Sequence, residues 1–208
     1  MQMGEEMTAG SSAATGRIQR HKLVDRAYHW LMAVAMLILL ATAFLPILGI
    51  KFAWVDIHWI TGLVLTVLVL FHILRASFWQ NFWSMMIDRE DLKDPFGKPV
   101  KYSLAQKLYH LAIAVLILGA IASGLLMWRK VDTPFWQRDP YWLSTDSWGV
   151  VYAIHGLAAM ALVTMVIIHV YFALRPDEWY LTRSMLRGWI TRKEYEDHHA
   201  SRRWSAKD

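Results

Sequence analysis

Two histidines stand alone in an otherwise apolar run. Residues 151–174, VYAIHGLAAMALVTMVIIHVYFAL, contain no Lys, Arg, Asp or Glu, yet hold His155 and His169. Imidazole is costly in hydrocarbon and, where it recurs there, usually functional. On an α-helix their 14-residue spacing gives about 21 Å of rise and falls about 40° short of four full turns. The two rings therefore share nearly one face, near opposite ends of the run. His58 and His72 repeat the spacing in a second apolar run, and His29 and His110 stand near the starts of two more. Any one of them could be a hydrogen-bonded interfacial residue. As a set they point to axial ligation, because a bis-imidazole haem needs one ligand from each of two helices at equal depth. Two such levels make two b-type haems, one above the other. Iron held this way has no open position, which suits electron transfer and not oxygen chemistry.

Depth pairs His58 with His155, since both begin their runs on the same side. At the depth of His169 three partners are available: His29, His72 and His110. Spacing alone favours His72, which completes a symmetric two-by-two set, and the choice stays open at this point. Gly62 lies one turn beyond His58 and Gly156 follows His155. Glycine lets a flat macrocycle approach a helix, although small residues also serve ordinary helix packing in membranes.

The elements that must position these rings are four apolar runs, roughly 27–48, 55–79, 105–128 and 149–174. About 20 apolar residues cross about 30 Å of hydrocarbon. The fold class expected is an all-α integral membrane four-helix bundle. The first run follows a polar segment with Glu5 and Glu6, exceeds a signal h-region and lacks an A-x-A-like site after it, so it reads as a span and not a cleaved signal. Residues 1–16, rich in Gly, Ser, Ala and Thr, read as a mobile tail. Residues 17–180 read as the haem-bearing membrane domain and 181–208 as a C-terminal tail. Residues 80–103 read as a short interfacial helix followed by a loop, and 129–148 as an aromatic loop packed against something.

The chain has 208 residues, 56% of them hydrophobic, with 12 Trp and no Cys. Without Cys there is no disulfide framework, thiolate zinc site, Cys-ligated iron–sulfur cluster or C-x-x-C-H haem attachment. The net charge of +5 is unevenly placed: 18 Lys and Arg lie in the N-terminal segment, the second loop and the C-terminal segment, against four in the other two loops. Positive-inside then puts both termini in the cytoplasm of a bacterial inner membrane. The same placement makes the basic residues juxtamembrane anchors and excludes nucleic acid as a partner. Trp54, Trp59, Trp79, Trp128, Trp148 and Trp179 fall near run ends, where an aromatic belt belongs. Asp25 and Asp56 lie at run edges and no Asp or Glu lies deep, so the chain reads as an electron wire and not a pump.

At LVDRAYHW (residues 23–30) the sequence resembles the cytochrome b (gamma) subunits of respiratory formate dehydrogenases, within the wider di-haem bacterial cytochrome b family. These carry a (F/L)-(I/V)-D-R-x-x-H-W motif at the start of their first helix. The resemblance continues at IHWITG (57–62), KYSLAQK (101–107), the paired histidines of the fourth run and HHASRRW (198–204). It implies that His29 and His169 hold a cytoplasmic-side haem and that His58 and His155 hold a periplasmic-side one. His72 and His110 become secondary ligand candidates, serving haem propionates or the quinone site. It also implies a quinone pocket (menaquinone or ubiquinone) beside the cytoplasmic-side haem, at Ser103, Ala105, Gln106 and Lys107. The family's segment there is K-Y-N-x-G-Q-K, so Ser103 and Ala105 are departures, and Ser103 still offers a hydrogen-bond donor. The implied partners are an iron–sulfur (beta) subunit and, through it, a molybdenum or tungsten catalytic (alpha) subunit, with membrane lipid and a possible higher oligomer of the heterotrimer. Related subunits serve hydrogenases and other molybdenum oxidoreductases. A stand-alone di-haem cytochrome b would lack large co-purifying subunits, and a His-lined metal transporter would show no haem spectrum.

Overall fold

A computed structural model describes residues 16–79 and 85–200. Its elements in chain order are β1 (Arg17–Gln19), α1 (Leu23–Phe44), α2 (Trp54–Phe78), α3 (Arg89–Lys93), α4 (Leu104–Trp128), α5 (Thr145–Leu174), a 3-10 turn (Pro176–Glu178), α6 (Trp179–Arg187), β2 (Trp189–Thr191) and α7 (Arg192–His198). Helices α1, α2, α4 and α5 are each long and apolar enough to cross a membrane.

Local chemistry sets the ends of these helices. α1 starts and stops about four residues earlier than the apolar run suggests. The Asp25 carboxylate accepts from the Lys22 N–H at 3.2 Å and caps the start. Pro46 disfavours helical backbone in the residue before it, so the helix ends at Phe44. α5 starts at Thr145, inside the segment read as loop, because Ser144 caps it: Ser144 Oγ accepts from the Ser147 N–H at 3.3 Å. The helix described in the second loop, α3, lies in its charged run. Asp88 and Asp91 form a reciprocal capping box around α3. Residues 80–84 and the tail 1–15 fall outside the described residues.

The described residues divide into two compact units. The first comprises residues 30–79 and 109–168. All four long helices feed its core, through Ala35 and Met36 (α1), Leu65 (α2), Ile117 (α4) and Leu162 (α5). Large apolar side chains such as Val67, Val115 and Ile167 are more than 60% exposed. Helices apolar all round, with so little of that surface buried in protein, require lipid as the solvent. The aromatic loop packs partly on this unit. Trp136 lies 4.2 Å from Trp128, centroid to centroid, and Trp128 stacks on Trp59 at 5.7 Å, while Phe135, Tyr141 and Trp142 stay exposed.

The second unit comprises residues 16–29, 85–108 and 169–200. Here β1 and β2 pair antiparallel, with Ile18 opposite Ile190. Those two residues and Tyr195 form a small core against Val100 and Tyr180. The Gly16 carbonyl accepts from the Arg192 N–H at 2.8 Å. Thr191 and Glu194 form a capping box for α7, and Arg183 pairs with Glu194 at 2.5 and 2.6 Å.

Arg20, buried at 4% exposure, donates to His199 Nε2 at 2.8 Å and to the Lys101 carbonyl at 3.0 Å. A guanidinium can only donate, so His199 Nε2 accepts and the ring is neutral. Burial, and then the Arg20 charge, pushes His199 down to about 4; burial, then Arg20 and Lys101, pushes His21 down to about 3. Between those values and the ordinary histidine pKa near 6.5 the unfolded segment binds protons that the folded one refuses. Stability from these two groups is therefore complete above about pH 6.5 and falls as the pH drops toward 4. Amide exchange in residues 189–200, corrected for its intrinsic pH dependence, is expected to accelerate between pH 7.5 and about pH 5. Unchanged protection over that range overturns the expectation.

Candidate functional site

The six histidines of the long helices come together two by two. Ring centroids are 6.1 Å apart for His29 and His169, 6.2 Å for His58 and His155, and 6.1 Å for His72 and His110. Two imidazoles trans on one metal ion, each bonded at about 2 Å, have ring centres about 6 Å apart. In the fold His169 faces His29, and His72 faces His110 on α4.

The His58/His155 pair is held by a further set of hydrogen bonds that fixes its chemistry. His155 Nδ1 lies 3.1 Å from the Ala120 carbonyl and 3.0 Å from Ser123 Oγ. A carbonyl only accepts, so Nδ1 carries the proton. Ser123 donates its own proton to the Gly119 carbonyl at 2.6 Å and is left as an acceptor. His58 Nδ1 lies 2.8 Å from Thr42 Oγ1, which in turn donates to the Ile38 carbonyl at 2.8 Å. By the same logic His58 is protonated at Nδ1. Both rings then carry their lone pair on Nε2, the atom an iron would take, and the bond at the other nitrogen orients the ligand. Gly124 completes the cradle: a Cβ there would lie 3.2 Å from His155 Cε1. A Cβ at Gly62 or Gly156 would meet nothing within 4 Å. The donor set and its spacing fit a haem iron.

Sequence reading did not single out Thr42, Ser123 or Gly124. The available signal was two hydroxyls in otherwise apolar spans, one in the last turn of α1 and one toward the end of α4, the ends nearest the loops that precede His58 and His155.

The Ser103–Lys107 segment opens α4. The Ser103 N–H donates to Gln106 Oε1 at 3.0 Å and the Gln106 N–H to Ser103 Oγ at 3.3 Å. This is a capping box of the S-x-x-Q type. It uses the oxygen of the Gln106 amide and leaves the NH2 group as the donor that a quinone oxygen would need. Lys107 is buried at 6% exposure and is bonded to Asp91 at 2.6 Å, with Asp88 at 3.6 Å. Its charge is matched within the protein and ties α3 to the start of α4. Ala105 is exposed.

Four apolar helices carrying facing imidazole pairs at iron-bridging distance define a membrane cytochrome of the b type. The chain belongs to the prokaryotic cytochrome b561 family, whose model matches residues 20–188. Among curated relatives, the formate dehydrogenase cytochrome b556(fdo) subunit of Escherichia coli K12 is 25% identical over 90% of this chain and 91% of its own length. The formate dehydrogenase cytochrome b556 subunit of Haemophilus influenzae is 22% identical over 90% of this chain and 82% of its own. The nitrate-inducible formate dehydrogenase cytochrome b556(Fdn) subunit of E. coli K12 is 22% identical over 90% and 89%.

Proposed function

We propose that this chain is the membrane subunit through which a formate dehydrogenase-type enzyme delivers electrons to quinone. The observation that carries the reading is the pair of imidazole pairs, His29/His169 and His58/His155, each at 6.1–6.2 Å and each sharing one member with α5. Haem b bound at such a pair supplies one-electron redox chemistry with no open iron position. His58 and His155 hold the periplasmic-side group, their rings oriented by Thr42 and Ser123. His29 and His169 hold the cytoplasmic-side one. The Gln106 amide donates to a quinone oxygen at the start of α4, and protons come from the cytoplasm, where the charge bias puts both termini. His72 and His110 serve the propionates or the quinone site.

Residues 17–180 are the haem-bearing domain, and the segment from 181 is a cytoplasmic tail in the inner membrane's inner face. The electron donor is an iron–sulfur subunit outside, linked to a molybdenum or tungsten catalytic subunit. The relatives' names support formate as the substrate of that partner, and the exposed Phe135, Tyr141 and Trp142 suit a docking loop. Substrate protons released outside and quinone protons taken inside conserve energy without a pump.

A pyridine haemochrome assay on intact purified protein is expected to give two b-type haems per chain. One haem, or none, overturns the reading. Absence of large co-purifying subunits, with both haems present, favours the stand-alone cytochrome instead.

A further inference from the structure

We propose that α6 is a strut that sets the separation of His29 and His169, with Arg26, Thr182 and Gly188 as its joints. The inference rests on the assignment of that pair to an iron. At one joint, Thr182 Oγ1 donates to the Ala173 carbonyl at 2.6 Å, in the last turn of α5 and four residues beyond His169. At the other, Arg26 Nε donates to the Met185 carbonyl at 3.3 Å and Nη2 donates to the Leu186 carbonyl. Arg26 lies in the first turns of α1, three residues before His29. Each ligand is thus about one helical turn from a side-chain bond to the same rigid nine-residue helix.

The Arg26 joint is chemically specific. The last carbonyls of a helix have no partner within it and carry the negative end of its dipole, so a donor-only cation suits them. Gly188 follows in the left-handed region, with φ of +91°, and its N–H returns to the Ser184 carbonyl at 2.8 Å. Its carbonyl accepts from the N–H groups of Arg20 and His21 at 2.9 and 3.0 Å. A Cβ at this position would lie 3.0 Å from both Arg26 Nη1 and the His21 carbonyl. Only glycine satisfies the backbone conformation and leaves the guanidinium its place. Ser184, on the same helix, is fully buried and bonded to the Leu181 carbonyl at 2.6 Å, so α6 is seated and does not swing.

A bis-imidazole site depends on its supporting shell, and loss of such a contact typically lowers affinity by about ten- to a hundredfold. The test uses the full chain with both haems and the variants Arg26→Gln, Thr182→Val and Gly188→Ala. Each is read by low-spin EPR, by redox titration and by the rate of haem transfer to excess apomyoglobin. The cytoplasmic-side haem is expected to show a moved g-maximum and potential and to leave about tenfold faster or more. The His58/His155 haem keeps its wild-type signal and reports that the protein is folded. Arg26→Lys, which keeps a cationic donor, is expected to recover part of the shift. Wild-type spectra and release rates in both Arg26→Gln and Thr182→Val overturn the strut. If His29→Ala retains two haems, the ligand assignment fails first and the strut falls with it; if His29→Ala loses one haem while the joint variants change nothing, the strut alone fails.

Discussion

Replacing His29 by alanine removes one of two haems and leaves the other, whereas replacing His72 removes neither. The expected haemochrome ratio falls from two per chain to one for His29→Ala and stays at two for His72→Ala. The grounds are geometric. The ring facing His169 is His29, at 6.1 Å, and the ring facing His72 is His110, also at 6.1 Å. Losing one of the two imidazoles removes half of the axial bonding, and alanine offers no replacement donor, so the affinity of that site is expected to fall far enough for its haem to be lost on purification. His72→Ala is expected to shift the potential of the cytoplasmic-side haem at most. The reverse result, with His72→Ala losing a haem and His29→Ala keeping both, restores the symmetric ligand set. Loss of both haems in either variant, with the protein still folded by tryptophan fluorescence, contradicts the independence of the two pairs.

The second large effect concerns Gln106. Its side chain carries two possible functions: Oε1 closes the capping box with Ser103, and the amide NH2 donates outward. Gln106→Leu removes both. Reduced haems should still form, but their reoxidation by added quinone is expected to slow about ten- to a hundredfold, the loss of a hydrogen bond to a reacting oxygen being worth about 1.5–3 kcal/mol. Gln106→Glu separates the functions. Glutamate is as good a capping-box residue as glutamine, yet its carboxylate accepts and does not donate at neutral pH. If the residue contacts quinone, Gln106→Glu reoxidises as slowly as Gln106→Leu. If it only caps α4, Gln106→Glu reoxidises at the wild-type rate, and the pocket lies elsewhere.

Much of the scaffold was readable because lipid imposes a strong, local pattern. A continuous apolar run longer than the bilayer is thick needs no tertiary information to be recognised, and all four spans are found, with shifts of up to about four residues at capped or proline-broken ends. The histidines stood out for the same reason, as polar groups in runs without charge. Helical phase could say which face each ring occupies but not which helices are neighbours, and so left three partners for His169. The β1–β2 ladder was invisible: strands of three residues, with Ile18 bonded to a partner 172 positions away, leave no periodic trace. The Lys107–Asp91 pair left no local signal, since its partners stand 16 positions apart on different helices. The Ser103–Gln106 cap is legible in the sequence as S-x-x-Q at the start of the third span. The ring-orienting roles of Thr42 and Ser123 show in the sequence only as hydroxyls in apolar spans, since each reaches its histidine from a different helix.

The hydrogen bonds from His58 to Thr42 and from His155 to Ser123 and Ala120 also bear on biogenesis. These bonds hold both rings in the Nδ1–H tautomer and leave Nε2 as the atom that would ligate iron. Incorporation at this level then requires no proton to be shed from the ligating nitrogen and no ring to turn over. Calorimetric titration of the apoprotein with haem in buffers of different ionisation enthalpy should therefore give the same heat at this pair.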